Sequence, residues 1–548
     1  MRHLALIAAV LTAAAPAAFA QTGATIIERN RVDQASPGVQ APAPGARPLR
    51  TFPHAVPAGR NFAPFVLREV RVSGSSAPAG IIGAASRPFI GRTVDAKALD
   101  QITQAVAAAY ARTDIALYSV SAPDQDFAGG VLKLDAVEGH IANVAVHVTG
   151  AGRKLGLISG YANKLTAERP LRRSTLERFL SLIRDIPGLT IQAELQSTGV
   201  PGAVRLAIEG HQKTVTFGAA INDRGTAYLG RTQITLTPSF YSLLREGDRT
   251  DLTFAFPTDF HRFQYYALSQ TEPLGDDGTT VQANAGYLRT RPEGPTAPGQ
   301  ALLQGDAVLL GMQFTRPFIR RYREQLYVTA GIDGLNSDNA LLGQVLANQD
   351  SRAFRMAASY GRTLDKTAYS LSGTVSLGLD TLGARASDPA AVDLAFHKLN
   401  AKAAVDQAIG RRLVLRLRAT GQYSGDRLPA SELFSLGGDD FGRAFEAATL
   451  TGDSGYAGSA ELAWVPAWTP ALFKRSELYG FTDGGRVFIN SRPGIMAARY
   501  DLASAGFGGR LAIASKMVVQ LEAAKPIDDP PTNPDHGWRA VISFRSLF

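Results

Sequence analysis

The sequence predicts an outer-membrane β-barrel of about sixteen antiparallel strands, preceded by two small α/β domains. Three observations carry that prediction. Beyond about residue 211 the helical period gives way to short segments in which apolar and polar residues alternate. The connections between those segments alternate between short and long. The last segment, Trp538 to Phe548, sets Trp538, Ala540, Ile542, Phe544 and Phe548 on one face and ends on an aromatic.

Composition narrows the class. Charged residues are 19% and hydrophobic residues 45% of the 548, and mean hydropathy is near zero. That balance fits neither a disordered chain nor a helical membrane protein. Cysteine is absent, which removes disulfide frameworks, thiolate metal sites and cysteine nucleophiles together. It also suits a chain that crosses an oxidising compartment unfolded. The net charge of +9 comes from scattered residues, with no Lys/Arg run longer than three, so no nucleic-acid partner is expected. The eight histidines are dispersed, and neither His-Glu-x-x-His nor Gly-x-Ser-x-Gly occurs. His140 and His147 fall in strands and read as structural. No catalytic residue, metal site or cofactor is expected, and the chain does not read as an enzyme.

At the N-terminus, Arg2 and His3 precede an apolar run from Leu4 to Ala17, and Ala18-Phe19-Ala20 is a small-x-small cleavage site. Residues 1–20 are therefore a secretory signal peptide. No stretch of eighteen apolar residues follows, so a membrane-embedded mature chain must span as a barrel. Residues 21–62 form a Pro/Ala/Gly-rich linker, in which Ala24–Asp33 is a candidate plug helix.

Residues 63–139 read as the first α/β unit. Phe65–Gly74 alternates as a strand. Asp95 to Tyr110 puts Leu99, Ile102, Val106 and Ala109 on one helical face, with Thr93 or Asp95 as N-cap. Strands at Ala116–Val120 and Gly130–Glu138 follow. Residues 140–210 repeat the plan: a strand from Ile141, a helix behind a Ser174/Glu177 capping box, a stop at Pro187-Gly188, and two strands.

Residues 211–548 read as the barrel. Leu413, Leu415, Leu417 and Ala419 face one way and Arg416, Arg418 and Thr420 the other, as expected for a lipid face opposite a wet lumen. Short turns at Arg245–Asp248, Gly275–Gly278, Leu364–Lys366 and Ser515–Lys516 alternate with long connections at 289–304, 334–351, 380–391 and 527–537. Short periplasmic turns and long outer loops are the pattern of an outer-membrane barrel. Phe544 and the terminal Phe548 read as the signal by which the barrel assembly machinery accepts the last strand. The longest interruption is a Gly-rich stretch, Phe434 to Phe445, carrying Gly437, Gly438, Gly442 and Arg443. About forty residues later Phe481-Thr-Asp483-Gly-Gly485 lies inside a strand-like run. A loop of that length needs a function, and folding back into the lumen to pin Arg443 on Asp483 supplies one.

The chain resembles a two-partner secretion transporter, the TpsB or ShlB/FhaC/HecB family of haemolysin secretion and activation proteins. The resemblance rests on Pro123-Asp-Gln-Asp126 with Gly129-Gly130, Glu138-Gly139, Leu176-Glu177, Asp185-Ile-Pro-Gly188, Asn222-Asp-Arg-Gly225, Gly247-Asp248 and Leu428–Gly438. It implies that the two α/β units are POTRA domains. It further implies that the loop after the eleventh strand carries a Val-Arg-Gly-Tyr/Phe tetrad whose Arg reaches the Asp of Phe-x-Asp-x-Gly. Here the tetrad reads Gly442-Arg443-Ala444-Phe445, so the Arg, the aromatic and the Asp are kept while Val and Gly are replaced. The implied clamp comprises Arg443, Phe445, Phe481, Asp483 and Gly485. The implied function is an outer-membrane pore, with its POTRA domains in the periplasm, that captures an unfolded exported TpsA-type exoprotein and passes it outward. Such a partner is an adhesin, a cytolysin or a contact-dependent toxin, and outer-membrane lipids surround the barrel. An assembly factor or insertase of the same superfamily is the alternative; two POTRA units favour secretion. A passive porin would have no need of the α/β units.

Overall fold

The computed structural model describes residues 62–150, 155–291, 305–338, 340–341, 344–345, 349–467, 473–513, 516–530 and 537–547. The signal peptide, the linker and plug-helix expectation (apart from Phe62) and the terminal Phe548 lie outside the described residues. Two compact bodies result, one built chiefly by the chain up to Lys213 and one by the chain from Thr214 on.

The first body holds both α/β units. In the first, β1 (Phe65–Val66) and β3 (Thr93–Val94) form a small ladder. The main sheet runs β2 (Glu69–Ser73), β5 (Val131–Glu138), β4 (Tyr118–Ser121), with β2 parallel to β5. Helix α1 (Ala79–Ser86) and helix α2 (Ala96–Tyr110) cover it. Asp95 caps α2, accepting the Ala98 N–H at 2.7 Å. Leu99, Ile102, Val106 and Tyr110 of α2 meet Val120, Leu132 and Leu134 in the core.

The second unit is built alike from β6 (His140–Thr149), α3 (Gly156–Thr166), α4 (Arg173–Asp185), β7 (Leu189–Ser197) and β8 (Ala203–Gln212), with sheet order β6–β8–β7. Each unit therefore has two main helices where one was expected. Helix α1 is Ala-Gly-Ile-Ile-Gly-Ala-Ala-Ser; two glycines and no polar face leave little helical signal. Helix α3 buries Ile158, Tyr161, Ala162 and Leu165, an i, i+3, i+4, i+7 stripe that the sequence does carry.

The capping-box expectation is also corrected. Helix α4 begins at Arg173, so Ser174 is already helical, and its N-cap Arg172 makes no side-chain cap. Asp114, from the first unit, takes the role instead: its carboxylate accepts the Ser174 N–H at 2.9 Å and the Ser174 hydroxyl at 2.5 Å. Leu171 N–H donates to Gly139 O and Ala116 N–H to Leu171 O, each at 2.9 Å, and Ala116 and Leu117 enter the second unit's core. The two units are thus stitched together through backbone and core.

The second body is a closed barrel of sixteen strands. They are β9 (Val215–Asn222), β10 (Gln233–Tyr241), β11 (Arg249–Pro257), β12 (Phe263–Leu274), β13 (Thr279–Thr290), β14 (Gly305–Arg320), β15 (Glu324–Asp338) and β16 (Gln349–Thr363). Next come β17 (Thr367–Gly378), β18 (His397–Ile409) and β19 (Leu413–Tyr423). A lumen loop follows, carrying a small hairpin of β20 (Phe434–Leu436) and β21 (Leu450–Gly452). The wall is completed by β22 (Ser454–Trp464), β23 (Phe473–Ile489), β24 (Ala498–Ile513), β25 (Met517–Asp528) and β26 (Arg539–Leu547). Neighbours in the wall are antiparallel, and β26 closes on β9.

Burial is inverted relative to a water-soluble sheet. On β14, Leu310, Met312 and Phe314 are exposed while Gln313 is buried; on β18, Leu399 is exposed between buried Lys398 and Asn400. Apolar residues outside and polar ones inside is the pattern that lipid selects. The described short turns, Arg245–Asp248, Gly275–Gly278 and Leu364–Lys366, fall at one end of the barrel, and the described long connection 380–391 at the other.

Candidate functional site

Residues 424–453 join β19 to β22 and fold into the lumen, where alternation has left polar side chains buried. Three sets of contacts fix the loop. At its roots Asp453, fully buried, accepts the backbone N–H groups of Leu428 and Asn490, both at 2.8 Å. It also takes Arg492 Nη2 at 2.6–2.7 Å.

On the ascending limb Glu432 meets two buried cations. Arg355 of β16 donates bidentately to it at 2.8 and 3.1 Å, and Lys398 of β18 reaches it at 2.6 Å. Arg355 holds Asp333 of β15 in a second fork at 2.5 and 2.9 Å. Between root and tip, Phe434, Leu436, Phe445 and Leu450 pack on Ala457, Val487 and Leu502.

The tip carries the expected pair. Arg443 is 6% exposed and Asp483, on β23, 4%. Their contact is not a bidentate fork. Nε of Arg443 lies 3.2 Å from Oδ2 of Asp483, without the alignment of a hydrogen bond. The other carboxylate oxygen accepts the Gly442 N–H at 2.8 Å, the Arg443 N–H at 3.3 Å and the Ser504 hydroxyl at 2.5 Å. Asp483 therefore holds the loop backbone as much as the guanidinium.

Arg443 spreads its charge over two more walls. Nη1 is 3.3 Å from Glu461 of β22 and 3.1 Å from Glu522 of β25. Its carbon centre sits 3.9 Å above the Phe481 ring. Phe481 rather than Phe445 thus lines the guanidinium; Phe445 anchors the neighbouring apolar cluster.

The glycines explain why the loop tip fits. Gly437, Gly438 and Gly442 have φ of 102°, 109° and 78°, where a side chain is strained. A Cβ on Gly442 would also stand 2.6 Å from Leu502. Ala444, where the family pattern has glycine, is not among the positive-φ residues, so that substitution leaves the tip intact. Gly485 serves close approach instead, its absent Cβ leaving room for the backbone carbonyl of Tyr456 on β22. Phe544 lies half-buried on β26, paired with Ile221 of β9.

Sequence reasoning missed Arg224, Glu432, Glu461 and Glu522. Glu461 and Glu522 stand at lumen-facing positions of their strands, and a carboxylate inside an otherwise apolar-alternating run was the available signal. Glu432 lies within the stretch Leu428–Gly438, but nothing in that stretch says which wall it meets.

The family model described as haemolysin secretion/activation protein ShlB/FhaC/HecB matches residues 203–511. The chain belongs to this family. A second model, the ShlB-type POTRA domain, matches residues 65–139. Among curated relatives, the heme/hemopexin transporter protein HuxB of Haemophilus influenzae is 20% identical over 83% of this chain and 82% of its own length. The outer membrane transporter CdiB of Dickeya dadantii is 20% identical, over 88% and 87% respectively. CdiB from Escherichia coli shares the fold at a TM-score of 0.70 and 19% identity, covering 92% of this chain and 94% of that one. CdiB from Acinetobacter baumannii does so at 0.62 and 16%, covering 93% and 94%. The chain is an outer-membrane transporter of two-partner secretion, its POTRA units periplasmic and its barrel the route by which a partner protein leaves.

Proposed function

We propose that this transporter exports one dedicated, unfolded exoprotein, and that the loop held at Arg443 sets the resting state of its pore. The observation that carries the reading is Arg443 itself: a buried cation on a connecting loop, facing carboxylates from three different wall strands. A cation so placed is costly to bury and costlier to strand, so its partners fix where the loop lies rather than add net stability. Residues 63–139 and 140–210 act as paired POTRA domains and 211–548 as the barrel. An extended exoprotein segment adds to an exposed POTRA sheet edge through backbone hydrogen bonds. The partner is of the adhesin, cytolysin or contact-dependent toxin class; relatives named for heme/hemopexin transport and as CdiB support a surface or secreted cargo. Folding of the exoprotein outside supplies the drive, and the chain performs no catalysis. Acceptance by the barrel assembly machinery runs through the last strand, with Phe544 and Phe548.

The test compares culture medium and outer-membrane proteins with and without this gene. Loss of one or two large secreted proteins, with the membrane profile unchanged, is expected. A broad fall in outer-membrane barrels would transfer the chain to the assembly-factor class.

A further inference from the structure

The barrel closes where β26 meets β9, through five register pairs among the described residues, from Ser543↔Asn222 to Leu547↔Gly218. The flanking pairings, β9–β10 and β25–β26, each have eight. Fewer ladder bonds make this the weaker joint of the three. At its outer end the chain does something unusual. Asp223 trades two bonds with Ile542 of β26, giving its N–H to the Ile542 carbonyl at 3.3 Å and accepting the Ile542 N–H at 2.9 Å. The next residue, Arg224, turns inward and is 4% exposed.

Arg224 then binds both the loop and the wall. Its Nε is 2.7 Å from Asp439 of the lumen loop, and its Nη2 is 2.5 Å from Glu522 Oε1. Its Nη1 points to the Arg443 carbonyl at 3.5 Å. The other oxygen of Glu522 faces Arg443. One carboxylate thus sits between two arginines, one from the loop tip and one from the residue beside the seam. Two lesser contacts run the same way: Ala227 N–H donates to Glu446 at 3.3 Å, and Arg539 of β26 donates to the Phe445 carbonyl.

We propose that Arg224 is a positioning residue that couples the closure seam to the lumen loop, so that neither is released without loosening the other. The inference rests on the reading of the loop as a clamp. A link of this kind is a coupling free energy between two elements with two arrangements each, and it must act in both directions. With Arg224 in place, withdrawing the loop takes Asp439 and the Arg443 carbonyl from its guanidinium and leaves it only Glu522, and parting the seam moves Arg224 off Asp439.

The absence of native cysteine makes the test clean. The full-length transporter in outer membranes carries Ala447→Cys as a loop reporter, labelled by a water-soluble maleimide. A seam lock is added as Ala219→Cys with Ser546→Cys, a directly opposed pair at a spacing a disulfide accepts. Locking the seam is expected to slow loop labelling at least about fivefold. In Arg224→Ala the unlocked loop labels faster, and the lock has no further effect. Asp439→Asn, which removes the charge at the loop end of the link, moves labelling and the lock's effect the same way but less far, and Arg224→Lys restores part of the lock's effect. A lock that slows labelling equally with and without Arg224, or has no effect in either, overturns the coupling. Arg443→Ala serves as the separate control: if it leaves labelling unchanged, the clamp reading itself fails; if it raises labelling while Arg224→Ala and Asp439→Asn do not, only the coupling fails.

Discussion

At the scale of single residues, the proposed clamp divides into a charge and a set of hydrogen bonds, and the two can be separated by substitution. Arg443→Ala removes the cation that faces Asp483, Glu461 and Glu522 and leaves the three buried carboxylates without it between them. Breaking one partner of a buried ion pair costs about 3–5 kcal/mol. That cost falls on the loop, because the wall strands keep their own ladders. Secretion should fall severely while the heat-modifiable, inserted barrel persists; normal secretion by this variant would remove the clamp. Asp483→Asn should be milder than Asp483→Ala. An amide oxygen still accepts from the Gly442 N–H and the Ser504 hydroxyl, whereas alanine loses both. Protease access to the loop ranks the two variants, and equal access in both would show that the charge alone matters. Of this cluster the sequence disclosed Arg443 and Asp483, because a lone Arg in a glycine run and a lone Asp in a strand are anomalies of pattern. It did not disclose Glu432, whose bidentate partner Arg355 is seventy-seven residues away, nor Glu522. Such pairings are set by barrel register across the lumen, and no local pattern encodes them.

At the scale of elements, legibility followed the strength of the local signal. The cap of α2, read as Thr93 or Asp95, falls on Asp95, and the stripe Leu99, Ile102, Val106 stands in the structure as read. Helix α1 was not, because its glycines and small residues carry no period. The start of α4 was misplaced because its cap, Asp114, is sixty residues distant. Strand alternation and turn length, by contrast, are local and repeated, which is why the barrel and the orientation of its loops were plain from the sequence. Two predictions belong here. Asp95→Ala should destabilise the first POTRA unit by about 1 kcal/mol, the usual cost of a lost N-cap. Urea unfolding followed in the periplasmic region measures it, and an unchanged midpoint would mean that α2 is held by its core alone. Deleting residues 65–139 removes one unit but also Asp114 and the Leu117 contact that complete its neighbour. Partner capture should be abolished, as read by retention of an unfolded exoprotein segment on the purified transporter. Undiminished retention would place recognition elsewhere.

At the scale of the whole molecule, the lumen is crowded by charge that is already matched. Arg416 and Arg510 share Glu461 and Glu477, Arg443 and Arg224 share Glu522, and Arg355 with Lys398 holds Glu432. A wall so neutralised offers few unmet charges to a passing chain, which suits an unfolded cargo of varied sequence moving through without sticking. The same pairing means that the loop is not the sole candidate for limiting flow. The Pro/Ala-rich segment 21–62 is attached to the first POTRA unit by its C-terminal end and is long enough, at about 3 Å per extended residue, to reach well beyond a membrane's thickness. If its helix-compatible stretch Ala24–Asp33 occupies the pore at rest, removing residues 21–60 while keeping the signal peptide should raise single-channel conductance in planar bilayers. Arg443→Ala in the same background separates the two obstructions. Additive increases from the deletion and the substitution would mean that plug and loop narrow the pore independently. An increase from the substitution alone would leave residues 21–60 as a tether, with the loop as the structure that closes the channel.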